Sequence, residues 1–215
     1  TGGSNVIIGG DAMSQYSGNN NVVMGTQAMY YGSGNNNVAI GTNANYNGTN
    51  SEATYEGTTA VGHNAQARSL NSTAIGRESI AGTKDEIGNY FANAVAVGYK
   101  ANATGLSSVA IGKEANSLKD YAISINGTAS GYSSIALGTD SSTDGSYGVA
   151  IGNSAHTEKN YSVAIAFEST ATGYMSIAIG NASTASDYGS LAIGGFAKAN
   201  GRKNIAIGYY ALSNN

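Results

Sequence analysis

The sequence predicts an all-β solenoid of about fourteen two-stranded coils. Three observations carry this prediction: a short repeat that runs along nearly the whole chain, strict alternation of residue types within each repeat, and abundant glycine without a helical period. Gly accounts for 31 of the 215 residues, and proline, cysteine and tryptophan are absent. A fixed period this short is typical of stacked structural units rather than of a globular core.

Each repeat ends in a short apolar run closed by a small residue, as in VAIG, IAIG and LAIG. Such runs recur every fourteen residues between Gly138 and Gly208. Extending the frame backward places further closing residues at 9, 25, 41, 62, 76, 98, 112 and 124. Positions within a repeat are counted below from the closing residue, which is position zero.

Two segments of the repeat alternate with period two. The first holds small residues at positions three and five, such as Ala197 and Ala199, and the second is the apolar run, such as Val149-Ala150-Ile151. This alternation indicates strands, and the Gly and Asn residues between the segments supply turns. Successive coils are expected to stack about 4.8 Å apart, which gives two parallel sheets back to back.

The apolar run has two faces, because its central Ala points one way and its Val and Ile point the other. The central residue is small in nearly every repeat, the exceptions being Ile7 and Val23. In the repeat that closes at position 124, the frame puts Ala122 in the central row and Tyr121 in the outer row. The predicted interior of the roll contains Ala110, Ala136, Ala150, Ala164, Ala178, Ala192 and Ala206.

The outer row is almost entirely aliphatic, and a stripe of this kind does not face water on a soluble monomer. We expect it to be buried against other copies of the chain in a closed oligomer, although symmetry alone does not choose between two and three copies. The opposite arrangement is also open, with Val and Ile filling the roll and Ala forming the seam. The predicted seam residues are Val109, Ile111, Ile135, Leu137, Val149, Ile151, Val163, Ile165, Ile177, Ile179, Leu191, Ile193, Ile205 and Ile207.

Composition excludes several classes of function. A net charge of −3 argues against nucleic acid as a partner, since phosphate binding needs clustered Lys and Arg. No apolar stretch approaches the roughly 20 residues of a membrane helix, so we expect no direct membrane insertion. His63 and His156 stand at different repeat positions without a ligand cluster, and no credible Ser-His-Asp set occurs. We therefore predict no catalytic residue, no metal site, no cofactor and no enzymatic activity.

Two longer repeats carry insertions near residues 46–58 and 80–93, which we expect to form loops. Their candidate ligand-contact residues are Tyr55, Glu56, Lys84, Asp85, Glu86, Tyr90 and Phe91. Tyrosines also recur near positions eight and nine of the later repeats. These residues could contact a protein partner, or they could shield the coil edges or pack between protomers. They are Tyr132, Tyr147, Tyr161, Tyr174 and Tyr188.

The run S-V-A-I-G followed by x-x-A-x-A-x-G resembles the head repeats of trimeric autotransporter adhesins of the YadA type. Residues 108–112 and 162–165 match its first half, and residues 99–105 carry the second half. The resemblance covers residues 5–209. It implies a left-handed parallel β-roll with three chains around one axis. It also implies export through the type V pathway to the outer membrane and cell surface of a Gram-negative bacterium, where such heads act in virulence by binding host matrix proteins or cell receptors.

The resemblance therefore implies that residues 1–215 form a single head β-roll, which binds host ligands through many weak contacts and without catalysis. We find no neck motif after Ala211-Leu212, and no stalk or membrane anchor is expected within these residues. The alternative class is an enzyme resembling the left-handed β-helix acyltransferases, whose coils have three faces, whereas a fourteen-residue coil gives two. A phage fibre segment and a carbohydrate-binding solenoid are further alternatives.

Overall fold

A computed structural model describes residues 2–46, 56–83 and 93–214. Within these ranges the chain is an all-β parallel solenoid of about fourteen turns without a helix, so the predicted fold class is confirmed. The chain divides into two compact units, Thr1–Glu114 and Ala115–Asn215. In each unit the apolar runs form one sheet, called here the aliphatic sheet, and the other segments form the polar sheet.

In the first unit the aliphatic sheet has its strands in chain order. These strands are β1 (Val6–Ile8), β3 (Val22–Met24), β5 (Val38–Ile40), β6 (Thr59–Val61), β8 (Thr73–Ile75), β10 (Val95–Val97) and β12 (Val109–Ile111). The polar strands form a pair and a triplet. They are β2 (Gln15–Ser17) with β4 (Tyr31–Ser33), and β7 (Gln66–Ala67), β9 (Ile80–Ala81) and β11 (Asn102–Ala103).

The second unit repeats this arrangement with greater regularity. Its aliphatic strands are β14 (Ile123–Ile125), β16 (Ile135–Leu137), β18 (Val149–Ile151), β20 (Val163–Ile165), β22 (Ile177–Ile179), β24 (Leu191–Ile193) and β26 (Ile205–Ile207). Its polar strands are β13 (Asn116–Ser117), β15 (Thr128–Ala129), β17 (Ser142–Thr143), β19 (His156–Thr157), β21 (Thr170–Ala171), β23 (Thr184–Ala185), β25 (Lys198–Ala199) and β27 (Leu212–Ser213).

The coils stack in register, so equivalent repeat positions form rows along each sheet. Ala150 of β18 pairs with Ala164 of β20, and Val149 pairs with Val163. The Ala row is fully buried between the two sheets, whereas Val149 is half-buried and Ile151 is 36% exposed. The structure therefore places the small side chains inside the coil and the branched aliphatic side chains on its outer face.

Neighbouring coils approach closely at position zero. Gly152 has a φ of +132°, and a Cβ atom there would lie 2.5 Å from the carbonyl oxygen of Ala166 in the next coil. Glycine suits this position because it adopts such backbone angles without steric cost. Ala166 occupies the equivalent position with a φ of 110°, a conformation that strains a residue with a side chain.

Some interior serines donate hydrogen bonds to the backbone carbonyl oxygens of the turns. At position ten, the hydroxyl of Ser176 donates to the carbonyl oxygen of Gly173 at 2.7 Å. At position three, Ser141 donates in the same way to Gly138 at 2.7 Å, across the other turn. Each of these carbonyl oxygens also accepts the backbone N–H of the same serine, so the hydroxyl adds a second hydrogen bond that alanine could not make.

The first coils hold larger side chains and an asparagine ladder. Tyr16, Met29 and Val23 are buried there. The side-chain oxygen of Asn21 accepts hydrogen bonds from the backbone N–H of Asn37 at 3.0 Å and from its side-chain amide at 3.0 Å. The sixteen-residue repeats thus enclose a wider interior that is filled by aromatic and amide groups.

The structure corrects the frame near residue 124. The centre of β14 is Ser124, which is buried, with Ile123 and Ile125 on either side of it. Ala122 therefore lies at position ten, and Tyr121 lies in the preceding turn with a φ of 58°. The following coil begins at Asn126 without the two usual turn residues. The pairing of Ile125 with Leu137, together with that of Asn116 with Thr128, places the shortening in the turn between Ile125 and Thr128.

Replacing Ala166 with glycine should stabilise the second unit by about 1 kcal/mol. The substitution removes backbone strain of about 1–3 kcal/mol and adds an entropic cost of about 0.5–1 kcal/mol. Urea unfolding followed by circular dichroism measures the change. Ala164→Gly in the same coil is the control and should destabilise, because it weakens a buried strand centre. If the Ala166→Gly protein were less stable than the parent, the backbone of Ala166 would not be strained.

Replacing Ala178 with leucine should destabilise the second unit by about 3 kcal/mol, because the added methyl groups have no room between the two sheets. Thermal unfolding measures the loss. The matched control is Ile179→Leu in the same strand, which conserves volume on the outer face and should cost less than about 1.5 kcal/mol. Equal losses from the two substitutions would show that the interior tolerates larger side chains.

Candidate ligand-binding surface

A row of exposed tyrosines follows one turn of the second unit through successive coils. Ring centroids of adjacent members lie 5.0 Å apart for Tyr147 and Tyr161 and 5.7 Å apart for the other four pairs. The guanidinium carbon of Arg202 lies 5.0 Å from the ring centroid of Tyr188, so a cation continues the row in the next coil. This row is called the tyrosine ladder and consists of Tyr121, Tyr132, Tyr147, Tyr161, Tyr174 and Tyr188.

The repeat position of each tyrosine determines how its ring meets the next one. Tyr147 and Tyr161 both stand at position nine, and their rings are inclined by only 4°. Tyr174 and Tyr188 both stand at position eight, and their rings are inclined by 11°. Neighbours at different positions, such as Tyr161 and Tyr174, meet at 70° to 80°. Both arrangements are favourable geometries for aromatic pairs.

Backbone hydrogen bonds between coils hold the ladder in place. The N–H of Tyr147 donates to the carbonyl oxygen of Tyr132 at 2.8 Å, and that of Tyr161 donates to Ser146 at 3.0 Å. The side chains nevertheless stay exposed to 37% at Tyr174 and 47% at Tyr121, with the others between these values. The result is a preorganised aromatic surface on a rigid edge.

In the first unit, charged side chains cluster on the turn that follows an aliphatic strand, whereas the tyrosine ladder of the second unit lies on the turn that precedes one. The carboxylate of Glu78 lies 3.6 Å from Arg77 and 3.7 Å from Lys100. Arg77 also lies over the ring of Tyr99, with its guanidinium carbon 4.6 Å from the ring centroid. A hydrogen bond with Tyr99, the charge of that phenol and the charge of Glu78 raise the pKa of the Lys100 ammonium group. The group is exposed, so the cluster orders the turn surface without contributing a buried ion pair.

Two further aromatic clusters occupy the turns. In the first unit Tyr30 and Tyr31 meet edge to face with centroids 4.5 Å apart, and burial and the neighbouring tyrosines raise the pKa of the Tyr31 phenol. In the second unit Phe196 stacks on Tyr210 at 4.9 Å. A hydrogen bond with Tyr210 raises the pKa of Tyr209. Aromatic contacts across coils are thus a general feature of the turns.

These stacked coils agree with a known family. A family model described as the YadA head domain repeat matches residues 56–79, 92–115, 129–155, 144–165, 171–197 and 188–211, which is more than half of the chain. The chain belongs to the YadA head family. The resemblance seen in its repeats is therefore confirmed. A search of curated proteins gave no match.

Membership gives this YadA head an adhesin-type role. Heads of the family form trimers and bind host ligands in general, and the family implies a Gram-negative surface autotransporter. The head domains are adhesin domains and are not known as enzymes. Within the described ranges no group of three or more His, Asp or Glu side chains is arranged to hold a metal ion. None of the described residues forms a helix that could cross a bilayer.

The predicted seam residues all lie on the outer face of the aliphatic sheets of this YadA head. Most are half-buried within one chain, and Ile205 and Ile207 are exposed to 61% and 64%. The predicted interior residues lie between the sheets, with Ala206 at 3% exposure and the others at 0%. His63 lies on a turn and His156 lies in strand β19, where its Nδ1 atom is 2.7 Å from the hydroxyl of Ser142 in the neighbouring coil.

Most of the predicted loop contacts fall outside the described residues. This applies to Tyr55, Lys84, Asp85, Glu86, Tyr90 and Phe91. Glu56 is described, and it is exposed at the end of its insertion, where its carbonyl oxygen accepts a hydrogen bond from the N–H of Asn71. Sequence reasoning identified the recurring tyrosines but missed their continuity with Tyr121, because the frame near residue 124 displaced that residue into the wrong row.

Proposed function

We propose that this YadA head is the non-catalytic adhesive part of a trimeric autotransporter on the outer membrane of a Gram-negative bacterium. Its ligands are host matrix proteins or cell-surface receptors, and residues 1–215 act as a single head. The observation that carries this proposal is the family match over more than half of the chain. A rigid scaffold whose turns repeat one surface many times is suited to binding without chemistry.

The exposed aliphatic row supports assembly with two further copies. In one chain Ile151 is 36% exposed, Ile111 is 38% exposed and Ile75 is 39% exposed, and all stand at the same repeat position. Exposed apolar stripes of this length mark interfaces, and rotational symmetry lets the same row meet itself in each protomer. Heads of the family form trimers, which supports the assignment of this row to the seam.

Trimerisation also explains how shallow surfaces produce adhesion. Three chains present each turn three times, so weak contacts to a repetitive ligand act together with a high effective concentration. The two insertions add further aromatic side chains, including Tyr55 and Phe91. Their sequence suits them to narrower specificity, because aromatic residues are enriched where proteins recognise one another.

Replacing Ile165 with aspartate should weaken assembly at least about tenfold, because the trimer would bury an unpaired carboxylate at its seam. The monomer should fold, since this side chain is only half-buried within one chain. Analytical ultracentrifugation over a range of concentrations measures the change. Thr184→Asp on the polar sheet is the control and should assemble like the parent. Full assembly of the Ile165→Asp protein would show that the aliphatic row is not the seam.

Replacing residues 84–92 by a single serine should leave the solenoid folded and alter ligand binding. Thr83 stands at position seven and Asn93 at position nine, so one residue between them restores a fourteen-residue coil and keeps β9 intact. Circular dichroism checks the fold, and binding to immobilised extracellular-matrix proteins measures the function. The control is Lys113→Ser on a regular coil. If the variant bound every ligand as the parent protein does, the insertion would not be part of the binding surface.

A further inference from the structure

The tyrosine ladder has no part in the proposed seam, which lies on the face of the aliphatic sheet. The ladder follows a turn edge through six successive coils, and a cation continues it at Arg202. Each ring lies within 5.7 Å of the next ring, yet more than a third of every side chain is open to solvent. A long row of this kind is suited to an extended ligand rather than to a compact one.

The geometry points to an uncharged polysaccharide as the ligand of the tyrosine ladder. An extended chain of pyranose rings would lie along the ladder, with its apolar C–H faces against the tyrosine rings and its hydroxyls toward the flanking polar groups. The inference adds a class of ligand to the proposed adhesive function. It rests on that function only for the claim that glycan binding serves adhesion. Binding of such a glycan by the purified chain is a separate property.

Periodicity is the first reason for this choice. Coils stack about 4.8 Å apart and the centroids of neighbouring rings lie 5.0 to 5.7 Å apart, so a partner that contacts every ring must itself repeat at about 5 Å. A pyranose unit in an extended polysaccharide advances the chain by a comparable length. A polyproline II segment advances by about 3.1 Å per residue, which does not match this step. A globular protein surface has no translational repeat to match it.

Charge is the second reason. The turns that carry the ladder hold as many acidic as basic side chains, namely Asp120, Asp144, Glu158 and Asp187 with Lys119, Lys159, Arg202 and Lys203. Glu158 pairs with Lys159, whose hydrogen bond lowers the pKa of the glutamate. A balanced edge of this kind gives no electrostatic drive for a polyanion such as a nucleic acid. Its carboxylates and amides are instead suited to accept hydrogen bonds from sugar hydroxyls.

Ring chemistry is the third reason. Aromatic faces carry partial negative charge, so they attract the polarised C–H groups of a sugar ring. Each phenol adds a hydroxyl that donates or accepts a hydrogen bond at the edge of the site. The alternation between near-parallel and near-perpendicular neighbours presents rings in two orientations along the row, for example at Tyr147, Tyr161 and Tyr174. Since each ring contributes a small free energy, affinity depends on engaging several rings together.

Titration of the purified chain with cellohexaose tests the inference, with isothermal calorimetry as the readout. We expect the parent protein to bind cellohexaose more tightly than maltohexaose, whose chain curves away from a straight row. Tyr147→Ser combined with Tyr161→Ser should weaken binding at least about tenfold, since the pair lies in the middle of the ladder. Tyr147→Phe combined with Tyr161→Phe should stay within about threefold of the parent, because the rings are kept.

Tyr209→Ser is the matched control, since Tyr209 is 72% exposed on a different turn of the same unit. It should bind cellohexaose like the parent. Absence of cellohexaose binding by the parent, or an equal loss in the control, would overturn the inference. Ladder-dependent binding of a proline-rich peptide without binding of cellohexaose would assign the ladder to a different partner. A changed sedimentation mass for the double serine variant would show that the ladder packs between protomers. None of these results bears on the binding of matrix proteins through the insertions.

Discussion

The narrow space between the two sheets of each coil constrains the rest of the molecule. In the regular coils the row centred on Ala150 and Ala164 is fully buried, and at position zero an added Cβ would meet the next coil at about 2.5 Å. Only Ala, Ser, Thr and Gly fit such an interior. A core of this kind buries little apolar surface per residue, so the branched aliphatic side chains lie outside the coil. This reversal leaves a row of aliphatic side chains partly exposed on the outer face of a single chain.

Hydrogen bonds add stability to an interior whose small side chains bury little apolar surface. Interior serines donate to turn carbonyls at both ends of the coil, as Ser141 and Ser176 show. In the wider first coils, amide groups take this role, and Asn21 and Asn37 form a continuous ladder through the interior. Backbone hydrogen bonds join each coil to the next, so stability accumulates by stacking neighbours rather than by building one central core.

The turns are where the repeat departs from uniformity, and they carry the candidate binding surfaces. Strand positions are limited to small or aliphatic residues by the interior and the outer row. Turn positions face solvent and tolerate aromatic and charged side chains. Stacking of coils converts single exposed residues such as Tyr161 and Tyr174 into a row with a defined spacing. A surface of this type arises from repetition and needs no pocket.

The sequence by itself determined the solenoid, the alternation of small and aliphatic positions and the family, because these depend on a period that is visible in the chain. It also located the recurring tyrosines. The tertiary structure alone decided the register near Ser124, since a coil shortened by two turn residues looks the same in sequence as one shortened elsewhere. Strand pairing distinguishes the two, as the alignment of Ile125 with Leu137 shows. The continuity of the ladder and the hydrogen bonds of the interior serines also needed coordinates, because they depend on which residues of separate coils are brought together by stacking.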